Sequence, residues 1–187
     1  MNKRSVDDLS ILLMAFEFAS EAHKNQKRKF TNEPYMIHVE ETSHLLLEET
    51  KGESNTEDFI AALLHDVVED TPISLNEIGR HFGGEVMALV KELTNDREAI
   101  TKEGKKEYLS KKINSMTERA LTIKLCDRLS NVISLEKPNI PKEFIKRYVE
   151  ETQYILDGID RELNKPQGKL TSRIEKMLIF LRLKNSL

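Results

Sequence analysis

The stretch that decides the fold is Ala61-Ala62-Leu63-Leu64-His65-Asp66-Val67-Val68-Glu69-Asp70. Its apolar residues lie on several sides of a predicted helix, which indicates a central helix rather than a surface helix. Yet the same helix carries one histidine and three acidic residues. Asp66 precedes Glu69 by three positions and Asp70 by four. A continuous helix would therefore place the three carboxylates on one face, with Cβ atoms roughly 5–6 Å apart.

This acidic group has two interpretations. Carboxylates that share a buried face repel one another and are costly to desolvate, and a bound cation would remove both costs. In the alternative, the helix is half-buried and its acidic face is solvated, which is the common explanation of a lone acidic face. The neighbouring histidine favours the metal, because His65 and Asp66 offer an imidazole and a carboxylate to one ion.

Two further places could complete a metal site. His38 lies near the start of the preceding predicted helix, and Asp127 lies in the mostly apolar segment Ile123–Asn131. Alone, each has an ordinary explanation, a hydrogen-bonded histidine or the solvated edge of a helix. Together, two imidazoles and two carboxylates form a nitrogen–oxygen set that suits manganese, iron or zinc rather than calcium. Three other histidines are not assigned to the metal: His23, His44 and His81.

Helical periodicity dominates the rest of the chain and predicts an all-α fold, a compact bundle of roughly eight or nine helices in one domain, 1–187. The charged segment from Asn95 to Lys112 is predicted to be solvent-facing or mobile. The predicted helices are Val6 to Lys24, Tyr35 to Glu49, Thr56 (as N-cap) to Asp70, a short helix from the capping box Ser74–Glu77 to Gly83-Gly84, one containing Val86 to Leu93, Thr117 to Leu135, Pro141 to Leu163, and a last helix after Pro166 and Gly168 ending near Arg182.

Composition limits the classes of partner. A hydrophobic fraction of 39% with 33% charged residues is typical of a soluble globular chain. The formal net charge of −3 gives no overall attraction for nucleic acid or an anionic membrane. A single cysteine, Cys126, excludes an intrachain disulfide and suits a reducing compartment. With no targeting segment and no membrane-length apolar run, we expect a cytoplasmic protein.

Four basic residues lie within the six positions from Lys24 to Lys29. Charge runs are usually solvated loops. Here the segment leads directly towards His38, so it should border any metal site. Basic groups beside a metal suit a phosphorylated substrate, and an arginine can also stack on a base.

These segments, in this order, resemble the HD-domain hydrolases of the Rel/SpoT type, and in particular the stand-alone small alarmone hydrolases. The resemblance covers about residues 10–160, and the ordered set is far more specific than a lone His-Asp pair. The matching segments are Ala22-His23, Gln26–Lys29, Pro34–His38, Ala61–Thr71, Phe82–Val86, Leu89–Thr94 and Lys124–Asn131.

The resemblance implies an HD-domain fold and a pyrophosphohydrolase that uses Mn²⁺ or another divalent transition metal. Its expected substrate is a small nucleotide, guanosine tetra- or pentaphosphate ((p)ppGpp), which loses its 3′-pyrophosphate to give GDP or GTP. Nucleic acid and membrane partners are not expected, and the oligomeric state is left open. On this pattern the metal ligands are His38, His65, Asp66 and Asp127, the pair beside the attacking water is Glu69 and Asp70, the residues beside the purine are Arg28 and Lys29, and further substrate contacts are Asn131 and Tyr148.

Two alternatives remain at this point. One is the same chemistry on another nucleotide such as NADPH, and the other is a non-catalytic module that binds the alarmone. The acidic pair Glu69 and Asp70 argues against the second, because a pure sensor need not keep it. The chain also departs from the family pattern, with Asn25 and Asn32 where glycines are common. Since asparagine tolerates positive φ, we expect the turns to be retained.

Overall fold

The computed structural model describes residues 6–187 and is built from helices. Within these residues the only β pairing is an isolated bridge between Lys27 and Pro34. The prediction of an all-α fold is confirmed. Two of the ten helices, α4 and α6, have only 4 and 7 residues. The helices are α1 (Val6–Ala22), α2 (Met36–Thr50), α3 (Thr56–Leu64), α4 (Val67–Asp70), α5 (Leu75–Leu93), α6 (Arg97–Glu103), α7 (Lys105–Ser115), α8 (Glu118–Ser134), α9 (Lys142–Asp157) and α10 (Lys165–Asn185).

Contacts between residues divide the chain into two compact units. Among the described residues, the first contains 6–28 together with Glu33–Asn95, and the second contains Lys29–Asn32 together with Asp96–Leu187. Helices α1 to α5 therefore belong to the first unit, and α6 to α10 belong to the second. That residues 1–187 form a single domain stays a prediction.

Helix α3 is the centre of the first unit. It packs against α1, α2 and α5, and every residue from Asp58 to Leu64 is buried. Its first turn is closed by a capping box in which Asn55 is the N-cap and Asp58 the reciprocal partner. The prediction that Thr56 is the N-cap is therefore wrong by one residue. Because α3 is buried on every side from Asp58 to Leu64, the chain reaches His65 and Asp66 in the interior of this unit.

The predicted continuous helix through Asp70 is wrong, because the helix is interrupted after Leu64. Asp66 has φ −105° and ψ −4°, which lies outside regular helical geometry, and α4 begins at Val67. The expected stop before Pro72 is confirmed, since α4 ends at Asp70 and the backbone of Thr71 is extended. His65 and Asp66 therefore lie in the break between the two helices.

Helix α5 begins and bends where the sequence predicts. Ser74 and Glu77 form the expected capping box. Gly83 has φ 87° and ψ 168°, so two helical halves meet there at a kink. Backbone in this region is essentially restricted to glycine.

Gly83→Ala is expected to lower the free energy of unfolding by about 1–3 kcal/mol, because alanine is strained at this φ and ψ. Gly84→Ala is the matched control. A Cβ at either glycine meets no atom within 4 Å, and only Gly83 has a positive φ. We expect Gly84→Ala to leave stability unchanged or to raise it by about 0.5–1 kcal/mol. Equal effects of the two substitutions in urea unfolding would mean that the kink is not strained.

Helix α8 is the centre of the second unit. It packs against α10 and α9, it begins one residue after the predicted start, with Thr117 as its N-cap, and all residues from Ala120 to Ser130 are buried. A helix with every side buried carries Asp127 into the interior of this unit.

The segment from Asn95 to Lys112, which is predicted to be solvent-facing or mobile, is largely helical. Asp96 caps α6 by accepting from the backbone N–H groups of Glu98 and Ala99. Helix α6 has no buried residue, which fits a solvent-facing segment. In α7, by contrast, Leu109 and Ile113 are buried against α9. Because these two apolar residues are four positions apart, they lie on one face of the charged helix, and that face is the buried one.

The predicted boundary between the last two helices is also wrong. Helix α9 ends at Asp157 rather than near Leu163, because Asn114 donates to the Gly158 carbonyl oxygen at 2.7 Å and accepts from the Asp160 amide at 2.8 Å. Helix α10 begins at Lys165, with Asn164 as a capping-box residue and proline in the first turn. Proline needs no backbone donor there, so it starts the helix instead of separating it.

Helix α1 has the predicted start and ends two residues early, at Ala22. Its buried positions are Ala15 and Ala19, whereas Leu9 and Leu13 are 54% and 63% exposed. The apolar periodicity therefore identifies the helix but not the face that is buried. No helix in residues 6–187 is long and apolar enough to span a membrane.

Candidate metal centre

Three of the predicted metal ligands lie together in the first unit. The Nε2 atoms of His38 and His65 are 3.2 Å apart. The Asp66 Oδ2 atom lies 3.0 Å from Nε2 of His65 and 3.7 Å from Nε2 of His38. Both histidines are 1% exposed. Helix α2 supplies His38, and the break between α3 and α4 supplies the other two.

The hydrogen bond on the far side of His65 decides what its Nε2 atom offers. Its Nδ1 atom lies 2.8 Å from the Ala62 carbonyl oxygen. A carbonyl only accepts, so Nδ1 carries a hydrogen, and the neutral ring presents a lone pair at Nε2. That lone pair faces the Asp66 carboxylate at 3.0 Å, an arrangement that requires a proton or a cation in between. Metal-bound histidines are commonly oriented by such a backbone contact, so the residues present fit a divalent cation.

Asp66 is held in its charged form. Burial by itself would raise the pKa of this carboxyl. When His65 takes up the proton that lies between the two groups, its positive charge and the hydrogen bonds of Asp66 with His38 and His65 outweigh burial and hold that pKa well below the usual range. The Tyr35 hydroxyl also donates to Asp66 Oδ2 at 2.5 Å. An ionised carboxylate beside two imidazoles is the form that binds a metal.

The two acidic residues that follow have partners of their own. Glu69 accepts from the Asn95 backbone N–H at Oε2 (2.9 Å) and from the Asn95 side-chain amide at Oε1 (3.3 Å). Asp70 is exposed, and its Oδ2 accepts from Gln26 Nε2 at 2.7 Å. The expectation of three carboxylates on one buried helical face is therefore wrong, because Asp70 is exposed.

The basic segment is ordered by a hairpin-like turn. The Arg28 amide donates to the Glu33 carbonyl oxygen at 2.9 Å, and Asn32 has φ 59°. The expectation that asparagine retains the turn is confirmed at Asn32, whereas Asn25 needs no positive φ. The Arg28 guanidinium lies 5.8 Å from the centre of the Tyr35 ring. In the second unit, Lys29 Nζ lies 5.5 Å from the centre of the Phe144 ring.

Asp127, the remaining predicted ligand, belongs to the second unit. Its Oδ2 is 2.8 Å from Lys124 Nζ, and its Oδ1 accepts from Asn131 Nδ2 at 2.5 Å. The side chains of Lys124 and Asp127 are 10% and 9% exposed. The amide of Asn131, predicted to contact substrate, therefore orients the Asp127 carboxylate in this structure.

Tyr148, the other predicted substrate contact, lies beneath a buried arginine. The Arg128 guanidinium is 5.1 Å from the centre of the Tyr148 ring and pairs with Glu151 at 3.2 Å. Burial raises the pKa of the Tyr148 hydroxyl, and the nearby Arg128 charge only partly offsets this. The phenol is therefore neutral at physiological pH and able to donate a hydrogen bond.

Sequence reasoning gave no role to Tyr35, Gln26 or Lys124, although each donates to, or pairs with, a carboxylate of the candidate site. All three lie inside the segments that resemble the Rel/SpoT hydrolases. Their position within those motifs was the available signal, since no spacing rule distinguishes a single tyrosine, glutamine or lysine in such a segment.

Comparison with known proteins identifies relatives over nearly the whole chain. A family model described as HD domain matches residues 15–159. The chain is 31% identical over 167 residues to the guanosine-3′,5′-bis(diphosphate) 3′-pyrophosphohydrolase MESH1 of Xenopus tropicalis. The alignment covers 87% of this chain and 92% of that protein. It is 37% identical over 149 residues to the guanosine-3′,5′-bis(diphosphate) 3′-pyrophosphohydrolase of Aquifex aeolicus, covering 72% of this chain and 20% of that protein.

A solved structure has the same fold. It is that of a metazoan ortholog of SpoT that hydrolyzes ppGpp and plays a role in starvation responses. The TM-score is 0.77 at 27% identity, with 94% of this chain and 98% of that chain covered. The expected HD-domain fold is thereby confirmed. Because the family model matches most of the sequence and a relative of similar length aligns almost end to end, the chain belongs to the HD domain family.

Proposed function

We propose that this chain is a metal-dependent phosphohydrolase that removes the 3′-pyrophosphate of guanosine tetra- or pentaphosphate, giving GDP or GTP and pyrophosphate. The observation that carries the reaction class is the cluster of the buried His38 and His65 with Asp66, whose ring nitrogens and carboxylate lie close enough together to suit a divalent cation. The substrate is supported by relatives named as 3′-pyrophosphohydrolases of this nucleotide. A cytoplasmic location fits a chain whose single cysteine, the buried Cys126, cannot form an intrachain disulfide.

The proposed ligands of the metal are His38, His65, Asp66 and Asp127, and the proposed ion is Mn²⁺. Two imidazoles with two carboxylates suit such a borderline metal. When bound, the cation polarises a phosphoryl oxygen and lowers the pKa of water. Lys124 and Asn131 hold the carboxylate of Asp127 in one orientation.

Asp70 is the proposed general base. Its Oδ2 accepts from Gln26, and within residues 6–187 its Oδ1 has no hydrogen-bond donor, so one exposed oxygen remains for a water. Both oxygens of Glu69 accept from Asn95, which suits a residue that orients the turn beside the site. The base takes a proton from the attacking water while the oxygen of that water bonds to phosphorus. The bond from that phosphorus to the 3′-oxygen breaks. The proton that Asp70 took from the water then passes through solvent to the 3′-oxygen, which leaves as a hydroxyl while pyrophosphate is released.

Arg28 and Lys29 are proposed to hold the purine end of the nucleotide. Arg28→Ala and Lys29→Ala are expected to raise KM several-fold with kcat nearly unchanged, because a contact made equally in the ground and transition states affects binding alone. Neither side chain is a metal ligand, so metal content should be unchanged. The control is Lys27→Ala, an exposed charge in the same turn. If all three variants have wild-type kinetics with every hydrolysed nucleotide, the basic segment is only a solvated surface.

The experiment that tests the proposed function is a comparison of nucleotides. Purified protein with Mn²⁺ is incubated separately with guanosine tetraphosphate, guanosine pentaphosphate and NADPH, and the products are identified by chromatography and mass spectrometry. We expect GDP or GTP and pyrophosphate from the guanosine nucleotides. Hydrolysis of NADPH alone would assign another substrate to the same chemistry. Binding of the guanosine nucleotides without hydrolysis would make the chain a sensor.

A further inference from the structure

A chain of hydrogen bonds connects the end of α1 to the exposed carboxylate of Asp70. His23 Nδ1 lies 2.6 Å from Gln26 Oε1, and Gln26 Nε2 donates to Asp70 Oδ2 at 2.7 Å. His23 is 2% exposed, and it follows the last residue of α1. The two bonds therefore join a buried ring to an exposed acid that lies 44 residues beyond Gln26.

The direction of both bonds follows from the chemistry of the glutamine amide. A carboxylate only accepts, so the group facing Asp70 is the NH₂ of Gln26, and the group facing His23 is its oxygen. An amide oxygen only accepts, so His23 Nδ1 carries the hydrogen of that bond. His23 thus fixes the orientation of the Gln26 amide. A flipped amide would turn an oxygen towards the Asp70 carboxylate.

The backbone around Gln26 is fixed on both sides. Its amide donates to the His23 carbonyl oxygen at 2.9 Å, and its carbonyl oxygen accepts from the Tyr35 amide at 3.0 Å. The His23 amide in turn donates to the Ala19 carbonyl oxygen at 2.9 Å. Asp70 therefore receives its hydrogen bond from a side chain anchored to α1, not from a freely moving surface residue.

Packing alone does not explain an imidazole at position 23. The ring packs against Tyr35 with centres 5.0 Å apart, which a phenylalanine would also do. Its Nε2 atom is buried and has no hydrogen-bond partner within residues 6–187. A buried polar atom without a partner costs about 1–3 kcal/mol. The property of this ring that a phenylalanine would lack is therefore the hydrogen bond between Nδ1 and Gln26.

We propose that His23 is a positioning residue that, through the Gln26 amide, orients the Asp70 carboxylate and directs its second oxygen at the attacking water. This proposal rests on the role proposed for Asp70 above. A misplacement of about 1 Å in a reacting group can lower turnover by about 100-fold. The loss of this orientation should therefore reduce kcat without changing metal content or KM.

Three substitutions separate positioning from packing. His23→Phe keeps a flat ring but removes both nitrogens, so the protein should be as stable as the wild type or more stable, with kcat about 10- to 100-fold lower. His23→Asn loses ring packing and is less stable, yet its Nδ2 lies one bond from Cγ, as Nδ1 does, and can donate to Gln26. Its kcat should be nearer the wild-type value than that of His23→Phe.

Gln26→Leu should lower kcat as His23→Phe does. The double variant His23→Phe, Gln26→Leu should have a kcat no lower than that of Gln26→Leu.

Stability and activity are then expected to change in opposite directions, which a purely structural role would not produce. If kcat of the His23 variants instead follows their melting temperatures, or if the two single effects multiply in the double variant, the proposal is wrong. The wild-type products test the proposed substrate separately, because the variant ratios can be measured with any nucleotide that is hydrolysed.

A second measurement does not depend on turnover. Nitrogen-15 NMR of the full chain should show the His23 hydrogen on Nδ1 in the wild type, with an altered signal in Gln26→Leu. A wild-type ring that carries its hydrogen on Nε2 alone would overturn the proposal, even in an active enzyme. The expected Nδ1–H signal in a protein that hydrolyses no guanosine nucleotide would reject the substrate but keep the hydrogen-bond chain.

Discussion

Asp127→Asn is expected to leave the protein folded but unable to retain its metal. The amide has nearly the shape of the carboxylate, and its oxygen can still accept from Lys124, which pairs with Asp127 at 2.8 Å. As a ligand, however, a neutral amide is much weaker than an ionised carboxylate. Changes beside a ligand already lower metal affinity by about 10- to 100-fold, so loss of a ligand itself should exceed about 100-fold.

Activity should fall with the metal. Lewis-acid stabilisation of the transition state contributes several kcal/mol, and each 1.36 kcal/mol corresponds to about a tenfold rate, so kcat/KM should drop by about 1,000-fold. Metal content after desalting, measured by elemental analysis, and Mn²⁺ titration calorimetry give the affinity directly. Retention of wild-type affinity by Asp127→Asn would exclude Asp127 from the ligand set.

The matched control is Glu151→Gln, which makes the same chemical change in a buried ion pair of the same unit. Glu151 accepts from Arg128 at 3.2 Å and pairs with Lys105 at 3.1 Å, and its side chain is 14% exposed. We expect both variants to lower the free energy of unfolding to a similar degree, while only Asp127→Asn loses metal. If Glu151→Gln also loses metal, disruption of an ion pair, not removal of a ligand, explains both results.

The helix boundaries that could be predicted are those set by local chemistry. Ser74 and Thr117 cap the helices that follow them, and Gly83 marks a kink that requires its positive φ. Each of these features is complete within a few residues of sequence. The end of α9 is different, because Asn114, a residue of another helix, terminates it by binding Gly158. Gly158 is the local signal of this stop, but the apolar periodicity continues past it, and the hydrogen bond from Asn114 cannot be read from nearby sequence.

The residues of the candidate site could be named from the sequence, but their separate roles could not. Spacing groups Glu69 with Asp70 and predicts one shared face. In the structure, Glu69 is bound by a residue 26 positions away and Asp70 by a residue 44 positions away. Within residues 6–187, both oxygens of Glu69 accept a hydrogen bond whereas one oxygen of Asp70 accepts none, and this difference distinguishes the two acids.

Asp70→Asn is therefore expected to lower kcat by about 100- to 10,000-fold, the range in which a general base contributes. Asp70 is exposed, so the substitution should change the free energy of unfolding by less than about 0.5 kcal/mol. Metal content should stay at the wild-type value, because Asp70 is not among the proposed ligands. Single-turnover kinetics at saturating nucleotide measure the chemical step directly.

Glu69→Gln is the informative comparison, because it makes the same change one residue earlier. Both Glu69 oxygens accept from Asn95, so one donor loses its acceptor, the turn after α5 loosens, and kcat should fall by a smaller factor. The size of the two losses therefore separates the two roles, because removal of the base affects the chemical step directly. A larger loss of kcat in Glu69→Gln than in Asp70→Asn would reverse the assignment and make Glu69 the base.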